Sequence, residues 1–147
     1  METKSKREEI VEVANKLFIY TDEQLWDKLV AEVFKEKVFF DMASAGGGAP
    51  TEMKSSDICA MWETGFKGID YIHHQAGNHI VMFDKDEFNA DVICYAMASH
   101  YKNAAAGEKS RTFTGSYDLH FVLTDLGWRI DGFKYNLKYV SGNVQLE

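Results

Sequence analysis

"RTFTGSYDLHFVLTDLGWRIDGFKYNLKYV", Arg111–Val140, holds two long β-branched and aromatic runs on either side of one turn signal, "DLGW". Runs joined this tightly pair as antiparallel neighbours. The same texture reaches back to Gly68: "YIHHQ", "HIVMF" and "NADVICYAMASHYK" are strand-like, with "DKDEF" and "NAAAGEK" as turns between them. Pro50 is the only proline and aromatics make up 14% of the chain, a composition that lets strands run long. Everything after Gly68 therefore reads as an antiparallel meander.

Upstream the period changes. Ile10, Val13, Ala14, Leu17 and Phe18 recur at helical spacing from Ser5 to about Phe18. In "YTDEQLWDKLVAEVF", Thr21 with Gln24 reads as a capping box, which puts Asp22 and Glu23 at the positive end of a second helix. Its expected buried stripe is Leu25, Trp26, Leu29, Val30 and Val33. "KVFFDMAS" is a short β-rich run that ends in the glycine loop "AGGGAP". That loop lacks the GK[ST] ending of a phosphate loop and reads as a surface loop or a flap beside a pocket. Ser55 or Ser56 then caps a third helix, "DICAMWETGF", which stops at Gly68. The order αα-β-α-ββββ is an α+β plan in one domain, residues 1–147, with the helices on one face of a strongly curved sheet.

The chain's 147 residues suffice for a single substantial core. A net charge of −7 argues against nucleic acid or an anionic membrane as partner. No apolar run approaches the roughly 20 residues of a membrane helix, and the N-terminal segment has no signal-peptide pattern. Cys59 and Cys94 form no close pair and read as free thiols. A cytoplasmic protein is the expectation.

"IDYIHHQAGNHI", Ile69–Ile80, raises the question of a metal. In a regular strand His73 and His74 point to opposite faces, and "QAGN" is a bulge signal that leaves the facing of His79 open. No HxH or HxxxH spacing occurs, so three convergent metal ligands are not expected here.

Several stretches together carry a family resemblance: "LFIYTDEQLWDKLVAEVFKEKVFFDMAS", "HHQAGNHIV", "YAMASHYK" and "GSYDLHFVLTDLGWRIDGFK". Their order and spacing resemble the SnoaL-like families of the nuclear transport factor 2-like superfamily. The resemblance implies a cone of curved antiparallel or mixed sheet closed by three helices, a cystatin-like roll. That superfamily holds dehydratases, cyclases and isomerases as well as proteins that catalyse nothing, so fold alone assigns no activity.

In site pattern the chain is most similar to scytalone dehydratases. The similarity implies a pocket carboxylate at Asp22, four residues before Trp26, paired with a strand histidine at His74. It also implies a second pocket histidine at His100 and a polar pocket residue near Asp118. The tyrosines of that pattern fall at Thr21, with Tyr20 adjacent, and at Met42. Tyr95 and Tyr117 are further candidate hydroxyl donors.

Such a pattern implies a cofactor-independent lyase or isomerase. In it His74, oriented by Asp22, takes a proton from carbon, while His100 or a tyrosine donates to the departing oxygen or holds the enolate. The expected ligand is a small hydrophobic cyclic molecule. The alternative is a ligand-binding or dimer-forming module without chemistry, and a homodimer is expected in either case, with "RIDGFKYNLKYV" supplying aromatics for the contact.

Overall fold

A computed structural model describes residues 3–147. Ser5 opens helix α1 (Lys6–Asp22) with a capping box: its hydroxyl accepts from the Glu8 amide, and the Glu8 carboxylate accepts from the Ser5 amide. Ile10, Val13, Ala14, Leu17, Phe18 and Thr21 form the buried stripe of α1.

The helix runs four residues past its expected end. Thr21 does not cap a second helix, because its hydroxyl donates back to the Leu17 carbonyl at 2.6 Å. Gln24 takes a left-handed φ of 54°, and the amides of Gln24 and Leu25 return to the carbonyls of Thr21 and Tyr20. This is a Schellman stop. Asp22 therefore stands at the negative end of α1 and not at the positive end of the next helix.

The second helix is short and irregular: α2 (Trp26–Lys28) leads into a π-helical turn, Leu29–Val33. Leu29 and Val33 are buried, whereas Leu25 and Val30 lie exposed, so only part of the expected stripe faces the core. Strand β1 (Phe34–Asp41) comes next, then a 3₁₀ turn (Ala43–Ala45) and β2 (Thr51–Lys54), a short strand that carries no clear sequence signal. Helix α3 (Ser55–Gly65) has Lys54 at its cap position with no side-chain cap; Ser55 lies inside its first turn.

The meander after Gly68 comprises β3 (Tyr71–Phe83), β4 (Asn89–Tyr101), β5 (Ser110–Thr124) and β6 (Gly127–Gly142). Six strands form one sheet in the order β2-β1-β6-β5-β4-β3. All neighbours are antiparallel except β1 and β6, which run parallel. The architecture is the expected α+β one, a curved sheet with three helices.

On β4 burial alternates strictly, with Ala90, Val92, Cys94, Ala96, Ala98 and His100 inward. Strands β3 and β6 bulge. One extra residue enters β3 between Gly77 and Ile80, where Asn78 has φ 60°. Register shifts opposite Thr114/Gly115 and His120/Phe121 place extra residues in β6. Each bulge swaps the inward parity of the residues beyond it and adds to the bend of the sheet.

The core lies between this inner face and the helices; Phe34, Phe121, Ile10, Leu17 and Leu29 are among its fully buried members. Each such side chain contributes about 1.5–3 kcal/mol relative to exposure. Cys59 and Cys94 are free and buried, and burial pushes their thiols up to about 11 and about 12. They stay protonated at neutral pH. No helix of the described residues is long and apolar enough to cross a membrane.

Candidate active site

Between α1, the loop after β1, α3 and the inner face of β3–β6 lies a cavity of about 170 Å³. Its walls are mostly aromatic: Phe18, Trp62, Phe66, Phe113 and Phe133 surround the polar groups of His74, His100, Tyr117 and Tyr135. Ala98 on β4 contributes a small side chain that leaves the space open.

Asp22 grips His74 at two points. Its Oδ2 accepts from the His74 backbone amide at 2.8 Å, and its Oδ1 lies 2.5 Å from His74 Nδ1. Both side chains are about nine-tenths buried. A carboxylate can only accept here, so Nδ1 carries the proton and the other ring nitrogen, Nε2, is left as the acceptor. The Phe18 ring, 5.4 Å away, walls the imidazole. Residues from the end of α1 and from β3 meet in this pair, separated by 52 positions in the chain.

Across the cavity His100 is buried, with Phe66 edge-on at 5.7 Å and Phe113 at 5.3 Å. Its Nδ1 accepts from Arg111 Nε at 3.0 Å. Burial, then the Arg111 charge, lowers its pKa to about 4 despite the opposing pull of Asp22. His100 is a neutral imidazole at physiological pH.

Tyr117 and Tyr135 pack together with ring centroids 4.9 Å apart. Burial raises the pKa of both, so both remain protonated donors. The Tyr135 hydroxyl is buried with no hydrogen-bond partner among the described residues. Its seat exists because residue 115 is glycine: a Cβ there would lie 2.9 Å from the hydroxyl and 2.3 Å from the Asn136 carbonyl. The rim is completed by Met42 and Ala45, and the turn that leads into the glycine loop is tied to β6. Ser44 donates to the Tyr135 carbonyl at 2.7 Å and accepts from the Leu137 amide at 2.9 Å.

Asp22, His74, His100, Met42 and Tyr117 thus converge on one cavity, although Asp22 reaches it only through His74. Four other expected residues do not line it. Tyr20 turns outward, its hydroxyl donating to Glu32 at 3.3 Å with Lys28 over its ring. Trp26 stacks behind Phe66 at 6.2 Å and supports the wall without reaching the space. Tyr95 is on the outer face of β4, under the Lys138 ammonium. Asp118 is likewise outward on β5, where it accepts from Asn136 at 2.8 Å. Strand alternation is the reason for the last two: Tyr95 neighbours inward Cys94 and Ala96, and Asp118 neighbours inward Tyr117.

His73 is exposed, whereas the bulge returns His79 to the inner side of β3 near α1, where burial and Arg7 lower its pKa. His120 forms a separate pair with Asp131 on the outer face, Nδ1 to Oδ1 2.5 Å. No group of three or more His, Cys, Asp or Glu side chains among the described residues is arranged to hold a metal.

A nuclear transport factor 2-like superfamily protein from Salmonella enterica shares this fold, 14% identical with a TM-score of 0.73 over 94% of each chain. The model of the SnoaL-like domain matches residues 2–134, and the chain belongs to that family. Among solved structures, the Kfla4162 protein from Kribbella flavida is 26% identical, with a TM-score of 0.89 over 96% of this chain and 95% of that one. A candidate scytalone dehydratase from Novosphingobium aromaticivorans is 16% identical, TM-score 0.73, over 90% and 83% of the two chains. The hexachlorocyclohexane dehydrochlorinase LinA-type3 from Novosphingobium barchaimii is 13% identical, TM-score 0.74, over 92% and 88%. The last two likenesses are of fold alone. No curated protein matches the sequence at a significant level.

Proposed function

We propose that the chain is a cofactor-independent lyase or isomerase acting on a small, hydrophobic, cyclic substrate bound in the cavity. The observation that carries this reading is the two-point grip of Asp22 on His74 inside an aromatic enclosure. A surface ion pair needs no such burial, and a plain core needs no oriented base facing an empty space.

In this reaction His74 Nε2 takes a proton from the carbon next to a carbonyl, and the electron pair moves onto the carbonyl oxygen. The His74 proton then returns to a neighbouring carbon, which is isomerisation, or leaves with a hydroxyl at the next carbon as water, which is dehydration. His100, Tyr117 and Tyr135 offer neutral donors to the oxygen that gains charge. Among the described residues no Lys or Arg side chain lines the cavity, which favours an uncharged substrate over a phosphate or carboxylate.

The test is turnover of a panel of cyclic β-hydroxy ketones and enones by wild type and His74→Ala. Loss of a positioned base lowers the rate by about 10²–10⁴-fold. Equal turnover by the two proteins removes His74 from the chemistry.

A homodimer through the outer sheet face is part of the same proposal. Phe39, Met82, Ile93, Tyr95, Met97 and Tyr139 are large apolar side chains exposed on the strands of that sheet, and patches of this kind are contact surfaces in folded proteins. Sedimentation equilibrium checks it; a monomer at all concentrations rejects it.

A further inference from the structure

His100 and Arg111 stand directly opposite in the β4–β5 register. A guanidinium stays protonated and has no lone pair to offer, so the Arg111 Nε contact at 3.0 Å requires a bare, accepting Nδ1 on His100. A neutral imidazole has one ring proton, which must then sit on Nε2. Arg111 is itself fixed in place. Its Nη1 donates to the Val144 carbonyl at 2.8 Å, and its guanidinium lies over the Phe113 ring at 5.2 Å. The C-terminal segment therefore buttresses a residue that sets the state of a cavity histidine. His74 is in the reverse arrangement, because its partner is a carboxylate on Nδ1.

We infer that two partners of opposite charge, both behind the cavity wall, hold the two cavity histidines in opposite tautomers: Asp22 makes His74 a proton acceptor, and Arg111 makes His100 a neutral Nε2–H donor. Arg111 is a positioning residue. It faces His100 and does not reach the substrate.

Of the two parts open to His100, an acid that gives up its proton or a donor that keeps it, the Arg111 contact selects the donor. An imidazolium beside a guanidinium would leave two cations in contact and would place a proton on the nitrogen that must accept. His100 thus holds a ligand oxygen by hydrogen bond as negative charge develops on it, and the proton that moves belongs to His74 alone. The assignment of that oxygen to an enolate rests on the proposed lyase or isomerase reading; the tautomers do not.

The charged and titratable groups facing His100 are Arg111 on β5, His74 on β3 and Asp22 at the end of α1, with Tyr117 and Tyr135 in the same cavity protonated throughout the range of interest. Long-range ¹H–¹⁵N correlation spectra of the imidazoles, recorded from pH 4 to 8, read each tautomer and each titration directly and need no substrate. In wild type, His100 shows protonated Nε2 and bare Nδ1 and stays neutral down to about pH 4, while the neutral form of His74 shows the opposite tautomer. Arg111→Met removes donor and charge together, and the His100 midpoint moves up toward the ordinary imidazole value of about 6.5 with loss of the tautomer preference. Arg111→Gln keeps an N–H donor without the charge and preserves the tautomer better than Arg111→Met.

A proton on His100 Nδ1 in wild type, the same tautomer on both histidines, or a titration of His100 near 6.5 overturns the inference, whatever the activity. Because the wild-type spectra alone decide these points, a variant that fails to fold does not rescue it. With any substrate found in the panel, His100→Gln, which keeps a donor that cannot titrate, retains at least tenfold more turnover than His100→Leu. Equal loss in the two variants contradicts the donor role. A panel with no turnover at all counts against the lyase or isomerase reading and leaves the tautomer result standing.

Discussion

Asp22 is the last residue of α1, where the unpaired carbonyls of the helix disfavour a carboxylate by about 0.3–1 kcal/mol. Two donors from His74, the backbone amide and the ring, offset that cost. Asp22→Asn tests what the charge does. The asparagine carbonyl still accepts from the amide, but its NH₂ group now faces Nδ1 and reverses the His74 tautomer, which leaves no acceptor toward the cavity. The expected outcome is a fold of unchanged circular dichroism with turnover reduced about 10²–10⁴-fold. Tyr135 supports a second prediction. Its hydroxyl is buried without a hydrogen-bond partner among the described residues, and such a group costs about 1–3 kcal/mol. Tyr135→Phe therefore leaves the ligand-free protein as stable as before or about 1 kcal/mol more stable in urea denaturation, while weakening retention of any ligand oxygen. A drop in stability would mean that the hydroxyl is satisfied within the fold.

At the scale of elements, the end of α1 shows how a correct local signal can be outweighed. Thr21 with Gln24 has the spacing of a capping box, yet the apolar stripe of α1 continues through Phe18 to buried Thr21 and carries the helix past it. The stop is then made by Gln24 at a positive φ, a conformation that costs a non-glycine residue about 1–2 kcal/mol. Gln24→Gly is predicted to raise stability by about 1 kcal/mol, read as a higher thermal midpoint, because glycine adopts that φ freely. A lower midpoint would show that the Gln24 side chain contributes more than its backbone costs. Strands divide in the same way. Strict alternation puts Ala96, Ala98 and His100 on one face of β4 and excludes Tyr95 from it. On β5, Tyr117 and Asp118 are adjacent and cannot both face inward. Tyr135 was not legible, because the bulges of β6 reset its parity and no sequence feature assigns them to those positions. Gly132, set against His120, and Gly115, set under Tyr135, mark close approaches only once the partner strand is known.

For the molecule as a whole, the buried neutral histidines set a pH dependence. His100 has a folded-state pKa of about 4, below its unfolded value near 6.5, and that of His79 is lowered as well. Between those two values the unfolded chain binds more protons than the folded one, so stability falls as pH falls through this window and levels off below about 4. The His100 contribution is on the order of 3 kcal/mol across the window. Urea midpoints measured from pH 7 to 4 check it, and the Arg111→Met protein should show a shallower decline. A flat profile would mean that neither histidine is held neutral by the fold.

Composition, the change from a 3.6 to a two-residue period at Gly68, and the turn signals were sufficient for the α+β class and the four-strand meander, since these depend on forces acting within a few residues, whereas β2 (Thr51–Lys54) carried no such signal. The pattern at Asp22, His74 and His100 picked out residues that the fold brings together at one cavity, and it did so as the family resemblance did, through order and spacing along the chain. Which neighbours complete that cavity was a different matter. Tyr135, Phe133, Phe113 and Arg111 enter because bulged strands pair in one register and because β1 joins β6 in parallel. Tyr20, Trp26, Tyr95 and Asp118 are excluded by facing. A one-residue bulge reverses every side chain beyond it, and its position is settled by the packing of the sheet against the helices, a long-range balance that no local stretch of residues encodes.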